Sequence, residues 1–442
     1  MLRNMSRKAW LQLLTCGLGS FAIFYVLFCR ASFYDAFIEA MDVTNTQFGI
    51  LYGIYGWIAV VGYLIGGLVA DKVAPKWLMF ISFLVTGICN FILGLWPSYS
   101  VCVVLYAVMG VSTTVTFWDA MLKCNRILGQ SIKQEGLSFS WLQTIRGLGE
   151  LIISTFIIYL FTKFINIVAG LRFVIWVYAA MLIIFAFISL FVFDTEIQAE
   201  DESGEIKKVT TSENSFKQTV RLLKNPDLWL CIIIAFGGYN LGSCVGSYLG
   251  DMAGTFGAAS AAIAYIGSMT NWFKPIGSYA GGFITKKHGP TFILMWISVI
   301  YIGITTALLL LPKSHKYLWA FLVVATIEII LTGAFRSQKY IQINEAGIPV
   351  EDTGNAFGII ATVIYSGDAF MPVLIGVWLD KYGDVGAYNR LYLCFYLFCA
   401  MSIIAAVVFR RRNKDRIMAL IEEEQKIGGT STAGSTENAE TV

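Results

Sequence analysis

Long apolar runs separated by short polar loops dominate this sequence and restrict its fold more than any other feature. A helix needs about 20 mostly apolar residues to cross the hydrocarbon core of a bilayer. Of the 442 residues, 57% are hydrophobic and only 14% are charged, whereas soluble domains average about 25% charged residues. The sequence therefore predicts an all-α membrane protein with twelve transmembrane helices. The predicted helices are residues 10–36, 48–70, 77–96, 101–122, 139–161, 171–193, 227–249, 260–284, 291–311, 318–337, 355–379 and 389–409.

The basic residues of the loops predict how these helices cross the membrane. Loops rich in Lys and Arg are retained on the cytoplasmic side. If the N-terminus lies inside, most of the 32 Lys and Arg residues lie inside as well. The basic residues left outside are Lys163, Arg172, Lys313, Lys316, Lys381 and Arg390. We therefore expect a multi-pass protein of the inner membrane with both termini in the cytoplasm.

One long polar segment divides the predicted helices into two groups of six. Residues 1–193 are predicted to form an N-terminal six-helix bundle, and residues 194–226 a cytoplasmic linker. Residues 227–412 are predicted to form a second bundle, and residues 413–442 a tail that is too poor in apolar residues to fold. The motif "GGLVADK" in the first half recurs as "GGFITKK" in the second. Such repeats are typical of transporters built from two related bundles.

The sequence lacks the motifs that are typical of several classes of function. We find no HExxH, P-loop or GxSxG motif in a catalytic context, which argues against an enzyme, although carboxylates of different helices can still meet in space. The nine cysteines lack CxxC spacing, and we expect no metal site and no cofactor. No stripe of basic and aromatic residues suggests a nucleic-acid partner. The expected partners are the lipid bilayer and a small-molecule substrate.

The loop after the second helix, "GGLVADKVAPK", carries a recognisable motif. With twelve helices split six and six, the chain resembles the major facilitator superfamily, whose signature of glycine, aspartate and basic residue is matched by Gly67, Asp71 and Lys72. The resemblance implies a major facilitator fold in which these residues hold an inward gate shut. Thr285 stands where a second aspartate would lie. We also expect Asp119 and Lys123, an i,i+4 pair in the fourth helix, to act in gating.

The start of the chain resembles the organophosphate:phosphate antiporters. Their first helix carries an arginine in an R-x-x-F setting, matched here by Arg30 and Phe33, and "TQFGILYGIYG" fits their second helix. Those antiporters use another arginine in helix 7, where this chain has Asn240. Phosphate-ester specificity does not carry over with the resemblance, and Asn240 puts phosphate exchange in doubt.

Charged residues inside the predicted spans are the strongest indication of a site, because such residues are costly in a bilayer and usually face a cavity or a partner. They spare helices 3, 6, 9 and 12, which face lipid in the superfamily. Two alternatives remain open: Arg30 can snorkel to the interface, and Arg146 and Glu150 can neutralise each other. Arg336 and Lys339 lie at the inner end of the tenth helix, where the positive-inside rule explains them. The charged positions are Arg30, Asp119, Arg146, Glu150, Lys274, Glu328, Arg336 and Asp368.

The candidate site residues fall into three sets. Since no histidine lies in a predicted helix, any proton coupling must use the carboxylates Glu328 or Asp368. The gating candidates are Gly67, Asp71, Lys72, Asp119 and Lys123. The substrate-binding candidates are Arg30, Tyr34, Arg146, Glu150, Asn240 and Lys274.

The predicted function is that of a secondary active transporter. We expect a monomer that moves a small organic anion, such as a sugar phosphate, sugar acid or sulfonate, across the inner membrane by alternating access. The planar donor fork of Arg30 suits such an anion. Two alternatives stay open: a proton-coupled symporter of a neutral sugar-like solute, and a membrane sensor that keeps a transporter fold.

Overall fold

A computed structural model describes residues 6–131, 135–193, 214–349 and 353–422. Within these ranges the chain is helical and contains no strand. Most of the predicted linker and tail lies outside the described residues, and residues 414–422 are helical. The α-helices are α1 Arg7–Phe28, α2 Arg30–Met41, α3 Asn45–Lys72, α4 Pro75–Leu93, α5 Tyr99–Val111, α6 Trp118–Ser131, α7 Glu135–Phe161, α8 Ile167–Val192, α9 Asn214–Leu223, α10 Pro226–Gly254, α11 Ser260–His288, α12 Pro290–Leu310, α13 Leu318–Gln338, α14 Gln342–Glu345, α15 Thr353–Tyr365 and α16 Gly367–Arg412.

The helices confirm the predicted membrane fold. In the described part of the chain, nine helical stretches are long and apolar enough to cross a membrane. The last of them, 58 residues long, holds two spans, because the backbone turns at Gly383, where φ is 65°. The helices α3 and α11, 28 and 29 residues long, supply two more. The result is twelve spans in two groups of six, separated by the segment that contains α9.

Local chemistry sets where several of these helices begin. The Ser6 hydroxyl accepts a hydrogen bond from the Ala9 N–H at 3.1 Å and caps α1. Thr44 and Gln47 form a reciprocal capping box at the start of α3. Proline occupies the first turn of α4, α10 and α12, where its missing N–H has no intrahelical partner to lose.

The first span is broken, which differs from the continuous helix predicted over residues 10–36. The helix α1 ends at Phe28 and α2 begins at Arg30. Inside α2, Phe33 has non-helical angles of φ −136° and ψ 25°. Its ring is buried against Phe161, with the ring centroids 4.8 Å apart. Hydropathy did not reveal the break because apolar residues continue across it.

The fourth span also changes its winding. Residues Ser112–Phe117, between α5 and α6, form a π-helix. Three threonines in this segment donate their hydroxyls to carbonyls of the preceding turn, and Ser112 donates to the Ser82 carbonyl of α4 at 3.0 Å. Single-turn π segments are frequent at functional sites. This one precedes Trp118 and Asp119.

The two bundles meet closely along α3 and α16. Gly49, Gly53 and Gly56 of α3 face the backbone of Pro372 and Ala369. A methyl group on Gly53 would lie 2.9 Å from the Ala369 carbonyl, so the helices approach at a distance that only glycine allows. These contacts lie near the start of α3, at the end of the molecule opposite Arg7.

Two further contacts close that same end. The Ala31 carbonyl of α2 packs against Gly250 of α10 and Gly267 of α11, both of which belong to the second bundle. The Asp380 carboxylate accepts hydrogen bonds from the Asn45 N–H at 3.0 Å and the Thr46 N–H at 2.7 Å. We call this region the closed end.

Candidate functional site

Arg30 lies at the seam between the two bundles. The break after Phe28 places it at the first position of α2, where it is 5% exposed. Its guanidinium carbon lies 4.2 Å from the ring centroid of Tyr52 in the first bundle and 5.0 Å from that of Tyr248 in the second. Among the described residues, its Nε and Nη1 atoms have no hydrogen-bond partner. Arg30 therefore presents unsatisfied donors to the seam.

Tyr34 lies one turn beyond Arg30 on α2. Its hydroxyl donates to Asn45 Oδ1 at 3.0 Å, and its ring centroid lies 5.4 Å from that of Tyr248. The same Asn45 is bound by Asp380 through its side-chain amide at 2.9 Å. Tyr34 thus connects the Arg30 site with the closed end.

Arg146 and Glu150 lie together on α7 without a direct ion pair. Within the described part of the chain, no carboxylate oxygen lies within 4.0 Å of the Arg146 nitrogens. The Arg146 guanidinium carbon lies 5.7 Å from the ring centroid of Trp118 and 5.8 Å from that of Phe24. Both side chains are partly buried. Mutual neutralisation therefore does not account for their position.

Lys274 belongs to the second bundle and is partly buried on α11. Its backbone carbonyl packs against Gly333 of α13, and its ammonium lies beside Gly246 of α10. The charges that act on it are those of Arg336, Glu150 and Glu328. Since Glu150 belongs to α7, Lys274 lies within electrostatic reach of both bundles.

Glu328 and Asp368 differ in how their oxygens are satisfied. Glu328 is 1% exposed; its Oε1 accepts from Thr332 at 2.7 Å, and its Oε2 has no partner among the described residues. Asp368 accepts from the Tyr239 hydroxyl and from the Ser243 hydroxyl, each at 2.7 Å. Both oxygens of Asp368 thus accept hydrogen bonds, whereas only one oxygen of Glu328 does so among the described residues.

Asn240 is buried between two helices of the second bundle. It is 1% exposed, and its amide donates to the Phe236 carbonyl at 2.8 Å. Its Oδ1 packs against Gly367 at the start of α16. The structure therefore shows Asn240 in the contact between α10 and α16.

The gating candidates lie towards the other end of the first bundle. The Lys123 ammonium donates to the Ala70 carbonyl of α3 at 2.8 Å. The Asp119 carboxylate packs against Gly66, next to the loop motif. Lys72 is exposed in the last turn of α3. The surroundings of Gly67 and of the Asp71 side chain lie outside the described part of the structure.

Two cations were assigned to topology alone in the sequence, and the structure corrects that assignment. Lys339 is 5% exposed and donates to the Tyr365 hydroxyl at 3.2 Å. The Arg336 guanidinium carbon lies 5.0 Å from the ring centroid of Tyr239. The positive-inside rule concerns loops and helix ends, so it could not indicate that these residues turn inward.

Two six-helix bundles that meet at a seam with buried cations define a multi-pass membrane transporter. The sequence matches the Major Facilitator Superfamily over residues 16–346 and again over residues 243–435. The chain belongs to this family, which confirms the resemblance found in its motifs.

Two inner membrane proteins are similar to this chain along nearly its whole length. The chain is 24% identical to the inner membrane protein YihN of Escherichia coli K12 over 425 residues, which are 95% of this chain and 100% of YihN. It is 22% identical to the inner membrane protein YqcE of the same strain over 402 residues, 89% of this chain and 92% of YqcE.

Solved structures show the same fold. The nucleoside transporter NupG superposes with a TM-score of 0.69 at 14% identity, covering 91% of this chain and 98% of NupG. A bacterial homologue of the human lysosomal transporter Spinster, in an inward-facing and unoccupied conformation, superposes with a TM-score of 0.63 at 17% identity. It covers 95% of this chain and 97% of the homologue.

Proposed function

We propose that this protein is a secondary active transporter that moves a small organic anion across the inner membrane by alternating access. The observation that carries the proposal is Arg30, which is 5% exposed and has two unpartnered guanidinium nitrogens. Burying a cation without a partner costs several kcal/mol. An anionic substrate that accepts from Nε and Nη1 removes that penalty, and the cation–π contacts alone supply only about 0.5–2 kcal/mol.

Arg146 of the first bundle and Lys274 of the second give this anion further cationic partners on both sides of the seam. Arg30 also belongs to the first bundle, so one anion in contact with Arg30 and Lys274 links the two halves. Binding energy that differs between conformations is what allows a ligand to shift their populations. Sugar phosphates, sugar acids and sulfonates all combine a compact anionic group with hydroxyls that Tyr34 or Glu150 can bind.

The closed end supports an inward-open state. With both termini in the cytoplasm, as the loop charges predict, the contacts of Ala31 and Asp380 seal the outer face. The Spinster homologue with the same fold is itself inward-facing. Alternating access then requires these outer contacts to break while contacts near the loop motif form.

Ligand-dependent stability of the purified protein tests the anion site. A ligand at a hundredfold excess over its Kd stabilises the native state by about 2.7 kcal/mol. We expect one or more of a panel of sugar phosphates, sugar acids and sulfonates to raise the melting temperature, whereas neutral sugars do not. Arg30→Gln abolishes the shift, and Arg30→Lys restores it in part because an ammonium lacks the planar fork.

The matched control is Lys316→Gln, which removes an exposed cation from the loop before α13. It leaves the shift unchanged. If Arg30→Gln responds to every anion as the parent does, Arg30 is not the anion site. Counterflow of the stabilising anion in proteoliposomes then separates a transporter from a sensor, because a sensor binds without flux.

A second candidate function is proton-coupled symport of a neutral sugar-like solute. It is favoured by the bare Oε2 of Glu328, which leaves one acceptor for a proton or a solute hydroxyl. The fold similarity to the nucleoside transporter NupG agrees with a sugar-containing cargo. Uphill uptake with and without a pH gradient distinguishes the two candidates: exchange against a preloaded anion continues without the gradient, whereas uphill symport stops.

A further inference from the structure

Three tyrosine rings surround the Lys339 ammonium. Its nitrogen lies 4.5 Å from the ring centroid of Tyr239, 4.7 Å from that of Tyr365 and 4.9 Å from that of Tyr340. It donates to the Tyr365 hydroxyl at 3.2 Å, and the Tyr340 and Tyr365 hydroxyls are also 3.2 Å apart. A buried ammonium thus shares its surroundings with two phenol hydroxyls.

Arg336, one turn earlier on α13, adds a second cation to the same group. Its guanidinium carbon lies 5.0 Å from the ring centroid of Tyr239. Its Nε atom is buried and lacks a hydrogen-bond partner within the described residues. We call Arg336, Lys339, Tyr239, Tyr340 and Tyr365 the inner cation cluster.

Direct neutralisation of the inner cation cluster is missing from the described part of the structure. The Asp368 oxygens accept from Tyr239 and Ser243, and Glu328, two turns before Arg336 on α13, accepts from Thr332 on one oxygen. No ion pair within 4.0 Å joins either carboxylate to Arg336 or Lys339 there. The two cations of the cluster therefore lack a direct ion-pair partner.

The position of the inner cation cluster relates it to the seam. Lys339 is the C-cap of α13, at the end of the bundle opposite the closed end. The Tyr365 ring centroid lies 6.3 Å from that of Tyr63 in the first bundle. The charge of Arg336 acts on Lys274, so the cluster continues from the central cations towards the end opposite the closed end.

We propose that the inner cation cluster is a second anion-binding site, which takes a small oxyanion such as a carboxylate, sulfonate or phosphate group. Lys339 and the Arg336 Nε donate to the oxyanion, and the Tyr340 and Tyr365 hydroxyls reorient to donate as well. The site lies on the side of the Arg30 site that faces away from the closed end. That it serves the transported anion rests on the proposed function, whereas binding itself does not.

Equilibrium dialysis of the purified full-length protein with radiolabelled inorganic phosphate tests the site. The parent protein binds phosphate at two classes of site. Lys339→Met removes one class, or weakens it by about tenfold or more, since one charge-assisted hydrogen bond is lost. Lys339→Arg restores it. Lys316→Met, the matched loop control, leaves both classes intact. Binding by Lys339→Met that equals the parent's in stoichiometry and affinity would overturn the proposal.

Tyr365→Phe keeps the proposal testable if the Lys339 variants do not fold. It removes one hydroxyl and no charge, and we expect phosphate binding at this site to weaken severalfold; unchanged binding contradicts the site. Arg30→Gln separates this proposal from the central one. If Arg30→Gln binds phosphate as the parent does while Lys339→Met does not, the central site fails and the inner cation cluster stands. The reverse pattern leaves only the central site.

Discussion

The Asp380 carboxylate of the second bundle caps the first turn of α3 in the first bundle, accepting the Thr46 N–H at 2.7 Å. The other carboxylate oxygen accepts from the backbone and side-chain amides of Asn45 at 3.0 and 2.9 Å. A carboxylate at a helix N-terminus is also favoured by the helix dipole. One side chain thus fastens the two halves together at the closed end.

Removing this cap should open the outer face more often. We expect Asp380→Ala to cost the closed end about 1.5–3 kcal/mol, the usual contribution of hydrogen bonds to a charged group. An impermeant maleimide applied to intact cells should then label Cys244, buried on α10, several times faster, as read by mass spectrometry. Asp384→Ala, an exposed acid in the next turn, is the control. Equal labelling rates for Asp380→Ala and the parent would show that Asp380 does not hold the closed end together.

Gly267 should tolerate no side chain in the closed-end conformation. A Cβ atom there would collide with the Ala31 carbonyl, which is backbone and cannot rotate away. We expect Gly267→Ala to lose about 1–3 kcal/mol, as overpacked sites do, and to inactivate faster on heating. Gly303→Ala on α12 has no heavy atom within 4 Å of the added carbon, so it should keep or slightly raise stability. A Gly267→Ala protein as stable as Gly303→Ala would refute the close contact.

Lys313, in the loop after α12, should make stability depend on pH. Burial lowers the pKa of its ammonium to about 8, below the ordinary 10.5. The unfolded chain then binds more protons than the folded chain between these values, so stability should rise as the pH increases from about 8 to about 10. Lys313→Met should flatten this part of the thermal stability profile. A profile equally steep in Lys313→Met and the parent would assign the dependence to another group.

The membrane fold could be predicted from the sequence because each span must hydrogen-bond its backbone polar groups within its own helix and place apolar side chains in the hydrocarbon. The second requirement produces the long apolar runs, and neither depends on the neighbouring helices. The motif around Gly67 and Asp71 likewise indicated the family, which the match over residues 16–346 and 243–435 confirms. The break between Phe28 and Arg30 could not be predicted, because apolar residues such as Phe33 and Phe37 continue beyond it.

The sequence by itself determined that cations and carboxylates would lie within the spans, since their positions along the helices can be read directly. Only the tertiary structure decided which of them meet. Lys339 and Arg336, which the positive-inside rule assigns to an inner helix end, turn towards Tyr239 because α13 and α15 each pack against α10 there. The side-chain amide of Asn240, a predicted substrate-binding residue, packs against Gly367 of α16. Hydropathy is a property of each segment, whereas the partners of a buried charge depend on the approach of helices far apart in the chain.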